Sequence, residues 1–405
     1  MALSPHEPRH AATMIARPQD IGSGAAQSTS PTNDAAPAAR RTPVRFDNVN
    51  LLRAFAALAV VVYHVIEHGK WTAFPTEGPL LVFRIGWIGV DLFFVISGFV
   101  IAYSALVLRG NDRAGFARDY WARRLTRILP LYVLTIAAWV LVTRHAFFAQ
   151  PSAGWAWQLA SHFAFIHSFF LDTFGTIDGV NWSLGIEMQF YLAIALLIGW
   201  IERASAWRIV AAAVAISWAW RASMFALVGS GEPWVLFVRV TQLPGTLDEF
   251  AAGILLAKLV LARPVPARGE ALAWLAGAGV LGYAAMATYW PHAAYWPFPA
   301  MVIFWRTLFA AFVLCVLAAA VRLPQSIARR GLLPFAYLGE ISYGIYLWHL
   351  FAVEYVIHLR GMTGLQALAW VVGLTLLAAA ASWHAVEKPF MRLARRPAAG
   401  AQAAP

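Results

Sequence analysis

The stretch IGWIGVDLFFVISGFVIAYSALVL, residues 85–108, carries one formal charge, Asp91. As a helix rising ~1.5 Å per residue it is ~36 Å long, enough to cross a hydrocarbon core of about 30 Å. The next stretch is its opposite: RGNDRAGFARDYWARRLTR, residues 109–127, holds Arg109, Arg113, Arg118, Arg123, Arg124 and Arg127. An apolar run closed by a basic loop reads as a membrane helix that ends in the cytoplasm, because Lys and Arg accumulate in cytoplasmic loops. Further apolar segments of this kind stand near 49–66, 127–146, 183–201, 207–228, 240–261, 269–290, 300–321, 341–359 and 364–385. An eleventh candidate, 155–171, is short and carries His162 and His167.

Charge decides how these segments thread the bilayer. Arg40, Arg41 and Arg45 put the N-terminus inside. Later inside loops hold Arg203 with Arg208, Arg263 with Arg268, and Arg322 with Arg329 and Arg330, and the C-terminal tail holds Lys388, Arg392, Arg395 and Arg396. All of these fall on one side only if 155–171 does not cross. The expected fold is therefore all-α: a polytopic bundle of ten transmembrane helices with both termini cytoplasmic, and 155–171 a re-entrant or interfacial helix on the outer face. Residues 1–45, rich in Ala, Pro, Ser, Thr and Arg, and residues 397–405 read as disordered tails flanking one membrane domain over 46–396.

Composition agrees. Of the 405 residues, 60% are hydrophobic and 13% charged, against roughly 45–50% and 25% in soluble domains. The 19 Trp, 12 Tyr and 26 Phe suit aromatic belts at two lipid interfaces. The net charge of +11 belongs to cytoplasmic loops rather than to a nucleic-acid surface. One cysteine, Cys315, excludes an intrachain disulfide framework and a Cys-based zinc site. His162 and His167 are five apart and poorly placed to chelate from one helix face, so no metal is expected.

Ionisable groups inside spans are costly and mark functional positions by default. Arg53 and His64 in the first span are eleven residues apart, three turns plus about 20°, so both project from one face, roughly 16 Å apart along the axis. Asp91, in the outer half of the second span, is a candidate partner that fixes the His64 tautomer or raises its basicity; a plain polar contact between helices is the alternative. Gly86, Gly89, Ser97 and Gly98 permit close helix packing there. Ser183, Glu187 and Tyr191 repeat at i, i+4, i+8, with Glu187 expected at a depth similar to His64 and Asp91. Arg124 and Arg127 share a helical face with Tyr120, and guanidinium forks suit phosphate groups, although positive-inside topology alone also explains a basic loop. Ser342, Tyr346 and His349 follow i, i+4, i+7, as channel lining or as packing. Asp248 and Glu249 are adjacent, so at least one serves the bundle interior.

Taken in order, these motifs resemble the acyltransferase-3 family of multi-pass membrane proteins. The matches are Arg53 with His64; GVDLFFVISGF at 89–99; Arg124 and Arg127 followed by Pro130; WSLGIEMQFY at 182–191; ISYGIYLWH at 341–349; and EKPF at 387–390. One departure is NVNLLR at 48–53, where the family more often has Asp-Gly before Leu-Arg. The resemblance implies transfer of an acyl group, usually acetyl, from cytoplasmic acyl-CoA to a hydroxyl of an extracytoplasmic or lipid-linked carbohydrate. It implies His64 as the essential histidine, with Arg53, Arg124 and Arg127 toward the donor. The implied setting is the cytoplasmic membrane of a bacterium, in the form without a fused hydrolase-like domain. On this reading His64, Asp91 and Glu187 are catalytic; Ser183, Tyr191, Tyr346 and His349 line the substrate channel; and acetyl-CoA, a glycan and membrane lipids are the partners. His64 acts either as general base on the acceptor hydroxyl or as an acylated relay. The competing class is a transporter or flippase for a lipid-linked or small polar substrate, which shares the ten spans but needs no basic mouth for a phosphorylated donor.

Overall fold

The computed structural model describes residues 44–143, 147–149, 151–263 and 269–393. The tail expected over 1–45, up to residue 43, and the one expected over 397–405 lie outside the described residues. So do Arg40, Arg41, Arg268, Arg395 and Arg396.

Among the described residues the chain is helical, without strands. In order, the helices are α1 (Asp47–His68), α2 (Ile88–Asn111), α3 (Phe116–Ala138), α4 (Ser152–Phe163), α5 (Asn181–Arg203), α6 (Ala206–Val228), α7 (Pro233–Val240), α8 (Leu243–Ala262), α9 (Glu270–Tyr289), α10 (Arg306–Arg322), α11 (Leu333–Glu340), α12 (Ser342–Val353), α13 (Gly364–Ser382) and α14 (Lys388–Leu393). Eight stretches are long and apolar enough to cross a membrane: Asp47–His68, Ile88–Asn111, Phe116–Thr143, Asn181–Arg203, Ala206–Val228, Glu270–His292, Met301–Arg322 and Gly364–Leu393.

The two remaining expected spans are helical but fall short of that standard for visible reasons. α8 has 20 residues but carries Asp248, Glu249 and Lys258. α12 has 12 residues and continues, more widely wound, through Glu354–Leu359. Both nonetheless run alongside long helices. At one end of α8, Gln242 Nε2 donates to the Ser168 carbonyl at 2.5 Å. Near its other end, Lys258 Nζ donates to the carbonyls of Ile201 and Ala204, at the C-terminus of α5. α12 tracks α1 from Arg53 to His68, as detailed below. The 155–171 segment is the 12-residue α4 and a short turn at His167–Phe169, too short to span.

α2 and α8 cross closely. A Cβ on Gly98 would sit 2.2 Å from the Phe250 carbonyl oxygen, and one on Gly253 would sit 2.3 Å from that of Val95. α1 and α2 touch in the same way through Gly86 and Gly89, which lie against the backbone of Ala59 and Ala56. Small residues let backbones approach where the hydrophobic effect offers nothing to drive helices together.

Polar contacts gather one set of helix ends. Arg109 and Arg113 both reach Glu202 (3.2 and 3.3 Å), linking the ends of α2 and α5. Arg322 at the end of α10 reaches Glu270 at 3.5 Å and the Arg263 carbonyl at 2.7 Å. Arg329 binds Asp47 at the start of α1. Asn48, within the departure from the family pattern, donates to the carbonyls of Ala320 and Pro324 and accepts from the Ala328 amide, so α1 starts in register and is tied to the end of α10.

Candidate active site

Three cavities follow one another through the bundle. The first, of about 640 Å³, is a basic mouth lined by Arg53, Arg123, Arg124, Arg127, Lys388 and Arg392. The second is narrow, about 130 Å³; it shares Arg53, Arg124 and Arg127 with the mouth and adds Ser97, Ser183, Glu187, Tyr191 and Ser342. The third, about 500 Å³, shares Val90 and Tyr346 with the second. His64 and Arg306 line it among Trp87, Trp182, Trp234 and Trp296.

α12 supplies the polar spine of this path. Ser342 Oγ accepts from Arg53 Nε at 3.2 Å. One turn on, the Tyr346 hydroxyl meets Ser183 Oγ at 2.7 Å. His349 Nε2 lies 3.2 Å from His64 Nδ1. Farther along, His358 Nε2 lies 3.0 Å from His68 Nδ1. The i, i+4, i+7 stripe of α12 thus meets α1 at Arg53 and at His64, and the two helices run parallel past each other.

In the mouth, Arg127 is held rather than free. Its Nη1 donates to Glu387 Oε2 at 2.7 Å and its Nη2 to the Glu340 carbonyl at 3.3 Å, and its guanidinium lies over the Trp383 ring at 5.0 Å. Arg124 lies over the Tyr191 ring at 6.0 Å. Glu187 Oε1 accepts from Ser97 Oγ at 2.5 Å and from the Tyr191 hydroxyl at 2.7 Å.

Two expectations need correction. Asp91 does not meet His64: its Oδ1 lies 3.0 Å from Arg306 Nη1, in a buried cluster where Arg306 also approaches Glu249 at 3.7 Å. Arg221 completes that cluster, 2.7 Å from Asp248 and 3.6 Å from Glu249. A fully desolvated carboxylate takes the guanidinium it can reach, because an unpaired buried charge costs far more than any lost alternative contact. Glu187 belongs to the narrow cavity beside Arg53, not to the cavity that His64 lines. The shared depth expected of His64, Asp91 and Glu187 is therefore not a shared site.

The acyltransferase-3 family, described as an acyltransferase domain, matches residues 46–386. This chain belongs to that family. The acyltransferase-3 chain is 25% identical to the peptidoglycan O-acetyltransferase OatA of Listeria monocytogenes, over 75% of this chain and 48% of that protein. It is 29% identical to nodulation protein 10 of Rhizobium leguminosarum bv. viciae, over 86% of this chain and 94% of that protein. To the acyltransferase MdmB of Streptomyces mycarofaciens it is 33% identical, over 38% of this chain and 39% of that protein. It thus spans about half the length of the peptidoglycan enzyme. No solved structure matches. Its apolar helices and its family make this acyltransferase-3 chain a multi-pass membrane protein.

Arg306, which lines the third cavity, and Arg221, its neighbour in the buried cluster, are not among the candidates the sequence offered. Both are buried, at 4% and 0% exposure, inside otherwise apolar helices. The rule that singled out Asp91 applies equally to an arginine within a span and would have found them. Arg306 lies over Trp87, 5.7 Å from the ring centroid, and lines the third cavity. Glu387, noted only as part of a closing motif, is the fully buried anchor of Arg127. His162 and His167 are buried and stack with ring centroids 4.2 Å apart. Among the described residues no group of three His, Cys, Asp or Glu side chains is arranged to hold a metal.

Proposed function

We propose that the protein is a membrane O-acyltransferase that moves an acyl group, acetyl above all, from cytoplasmic acyl-CoA to a hydroxyl of an extracytoplasmic or lipid-linked carbohydrate. The observation that carries this reading is the succession of cavities from a mouth lined by arginines, through a narrow polar neck, to a wide aromatic chamber containing His64. Each part suits one part of the reaction. The donor's phosphates are anionic, and Arg53, Arg124 and Arg127 present guanidinium groups to them. A neck of about 130 Å³, the smallest of the three cavities, suits a slender pantetheine arm. The aromatic plates of Trp87, Trp182, Trp234 and Trp296 suit the apolar faces of a pyranose, with Arg306 N–H groups for its oxygens.

At the junction, His64 acts as the general base. Its Nε2 takes the acceptor's hydroxyl proton as the oxygen attacks the thioester carbonyl. The C–S bond breaks and the departing thiolate receives that proton. Ser183, Tyr191 and Tyr346 line the donor's route, and Glu187 holds the neck's hydroxyl groups in place. Asp91 acts through Arg306, as its counter-ion, rather than on His64.

The threading that fits this direction has ten crossings, by α1, α2, α3, α5, α6, α8, α9, α10, α12 with its extension, and α13. Both termini are cytoplasmic, α4 lies at the outer face, and the membrane is the cytoplasmic membrane of a bacterium. The relatives' names support an O-acetylated cell-envelope polymer as acceptor class.

The test uses inverted membrane vesicles from an expressing strain, supplied with acetyl-CoA labelled in the acetyl group. Ester-linked label should appear in glycan material, and His64→Ala should abolish it while the protein still inserts. Full incorporation with His64→Ala would remove the mechanism. Movement of a lipid-linked sugar without consumption of acetyl-CoA would identify a transporter instead.

A further inference from the structure

The hydrogen bonds around His64 fix more than its position. Val60 O lies 2.9 Å from His64 Nδ1, and Tyr346 O lies 2.6 Å from His349 Nδ1. A backbone carbonyl only accepts, so each Nδ1 carries a hydrogen. His349 Nε2 is then a lone pair, and it faces His64 Nδ1 at 3.2 Å. The His64 Nδ1–H is therefore shared between the Val60 carbonyl and His349 Nε2. His64 Nε2, which makes no hydrogen bond among the described residues, is left as the basic nitrogen beside the outer cavity. His349 itself is fully buried, and its ring lies 4.9 Å from that of His64, centroid to centroid.

We propose that His349 is the positioning residue of the reaction, an imidazole that accepts the Nδ1–H of His64 and thereby keeps His64 Nε2 unprotonated and aimed at the acceptor. The proposal rests on the reading of His64 as general base. It gives the structure the orienting group that neither Asp91 nor Glu187 provides. When His64 Nε2 takes the acceptor's proton, the ring becomes an imidazolium, and its Nδ1–H bond to His349 strengthens as charge develops. When the thiolate leaves and Nε2 returns the proton to sulfur, both rings regain their starting tautomers. No proton remains on His349, so atoms and charge balance over the cycle. The backbone supports this assignment: the Tyr346 carbonyl that orients His349 comes from the residue whose hydroxyl meets Ser183 at the boundary of the neck and the outer cavity.

Two amide variants separate positioning from packing. In His349→Gln the side-chain oxygen reaches the place of Nε2 and can still accept from His64. In His349→Asn it reaches only the place of Nδ1. Initial rates of label transfer from acetyl-CoA in the same vesicles should fall about 100-fold or more with Asn and less than about 10-fold with Gln, with the donor KM within about twofold of the parent in both. The acidic limb of the kcat/KM profile should move to lower pH in the Asn variant, because His64 keeps the Val60 carbonyl but loses the second acceptor that stabilises its charged form. The other titratable groups around His64 are Tyr63 and His68 on its own helix, Tyr346 on α12, and Tyr289, Tyr295 and Arg306 across the cavity, and all are unchanged in both variants.

Equal rates for Gln and Asn, or an unmoved limb, would reduce His349 to packing. If His64→Ala is inactive while His349→Asn keeps its rate, this proposal falls alone. If His64→Ala is active, the reading beneath it falls first.

Discussion

A buried charge is defined by its partner, and the two acids expected beside His64 illustrate how little a span reveals of that partner. Asp91 was legible as a carboxylate that must face the bundle interior. That it faces Arg306 was not, because the contact is made between α2 and α10, more than 200 positions apart in the chain. Breaking one side of such a pair leaves an uncompensated charge in low dielectric, which costs about 3–5 kcal/mol, whereas replacing both sides with apolar groups is often neutral. Asp91→Asn alone should therefore lower the thermal midpoint of the purified protein markedly, and Asp91→Leu with Arg306→Met should recover most of the loss. A double variant as unstable as the single one would mean that the cluster's stability does not reside in this pair. Arg124 and Arg127 behave differently, since Arg127 is already paired with Glu387 and braced on Trp383. Arg124→Ala with Arg127→Ala should raise the donor KM at least about tenfold with a smaller effect on kcat, as expected for lost phosphate contacts. A donor KM unchanged in a titration of acetyl-CoA would return both arginines to topology alone.

Among the elements, hydropathy and helix length agree on eight spans and part at two, α8 and α12. The expected third span, 127–146, begins a full three turns earlier, at Phe116, so the basic cluster is itself helical and the i, i+3 placement of Arg124 and Arg127 is real. α8 and α12 are the two expected spans that fail on length or charge, and both turn polar groups inward. α8 buries Asp248 and Glu249, and α12 carries the stripe of Ser342, Tyr346 and His349. A helix that must present such groups inward gives up apolar length to do so, which is why a hydropathy window undervalues it. The α2–α8 crossing depends on glycine for a reason visible in the contacts: any side chain at Gly253 meets the Val95 carbonyl and the Phe99 amide nitrogen, and backbone cannot swing aside. Gly253→Val should cost about 3 kcal/mol or more. The measurement is the fraction of monodisperse protein extracted in mild detergent after a temperature ramp. Gly279→Val, in α9 where a Cβ meets nothing, is the control that should behave like the parent.

For the whole molecule, the reading that mattered most was the asymmetry of positive charge. It assigns to one side a set of helix ends that the structure brings into contact with one another. Arg109 and Arg113 join α2 to α5 through Glu202, Lys258 joins α8 to the same end of α5, Arg322 joins α10 to α9, and Arg127 joins α3 to the segment after α13. Ends joined in this way point to one end of the bundle, which the proposed threading places at one membrane face. α8 and α12 decide the threading, because omitting either crossing inverts everything downstream. Cys315 is the sole cysteine and is buried, so Cys315→Ser provides a clean background for single-cysteine labelling. Exposed positions then report the side. Thr76→Cys, Ser230→Cys and Arg360→Cys should react with a membrane-impermeant maleimide in intact cells, and Ala114→Cys and Ser326→Cys should react only after permeabilisation. Ser326 labelled from outside would mean that α8 does not cross, and Arg360 protected while Ser326 is also protected would mean the same of α12. Either result would put Lys388 and Arg392 on the opposite side of the membrane from Arg53, Arg124 and Arg127, with which they line one mouth, and the ten-span threading would have to be given up.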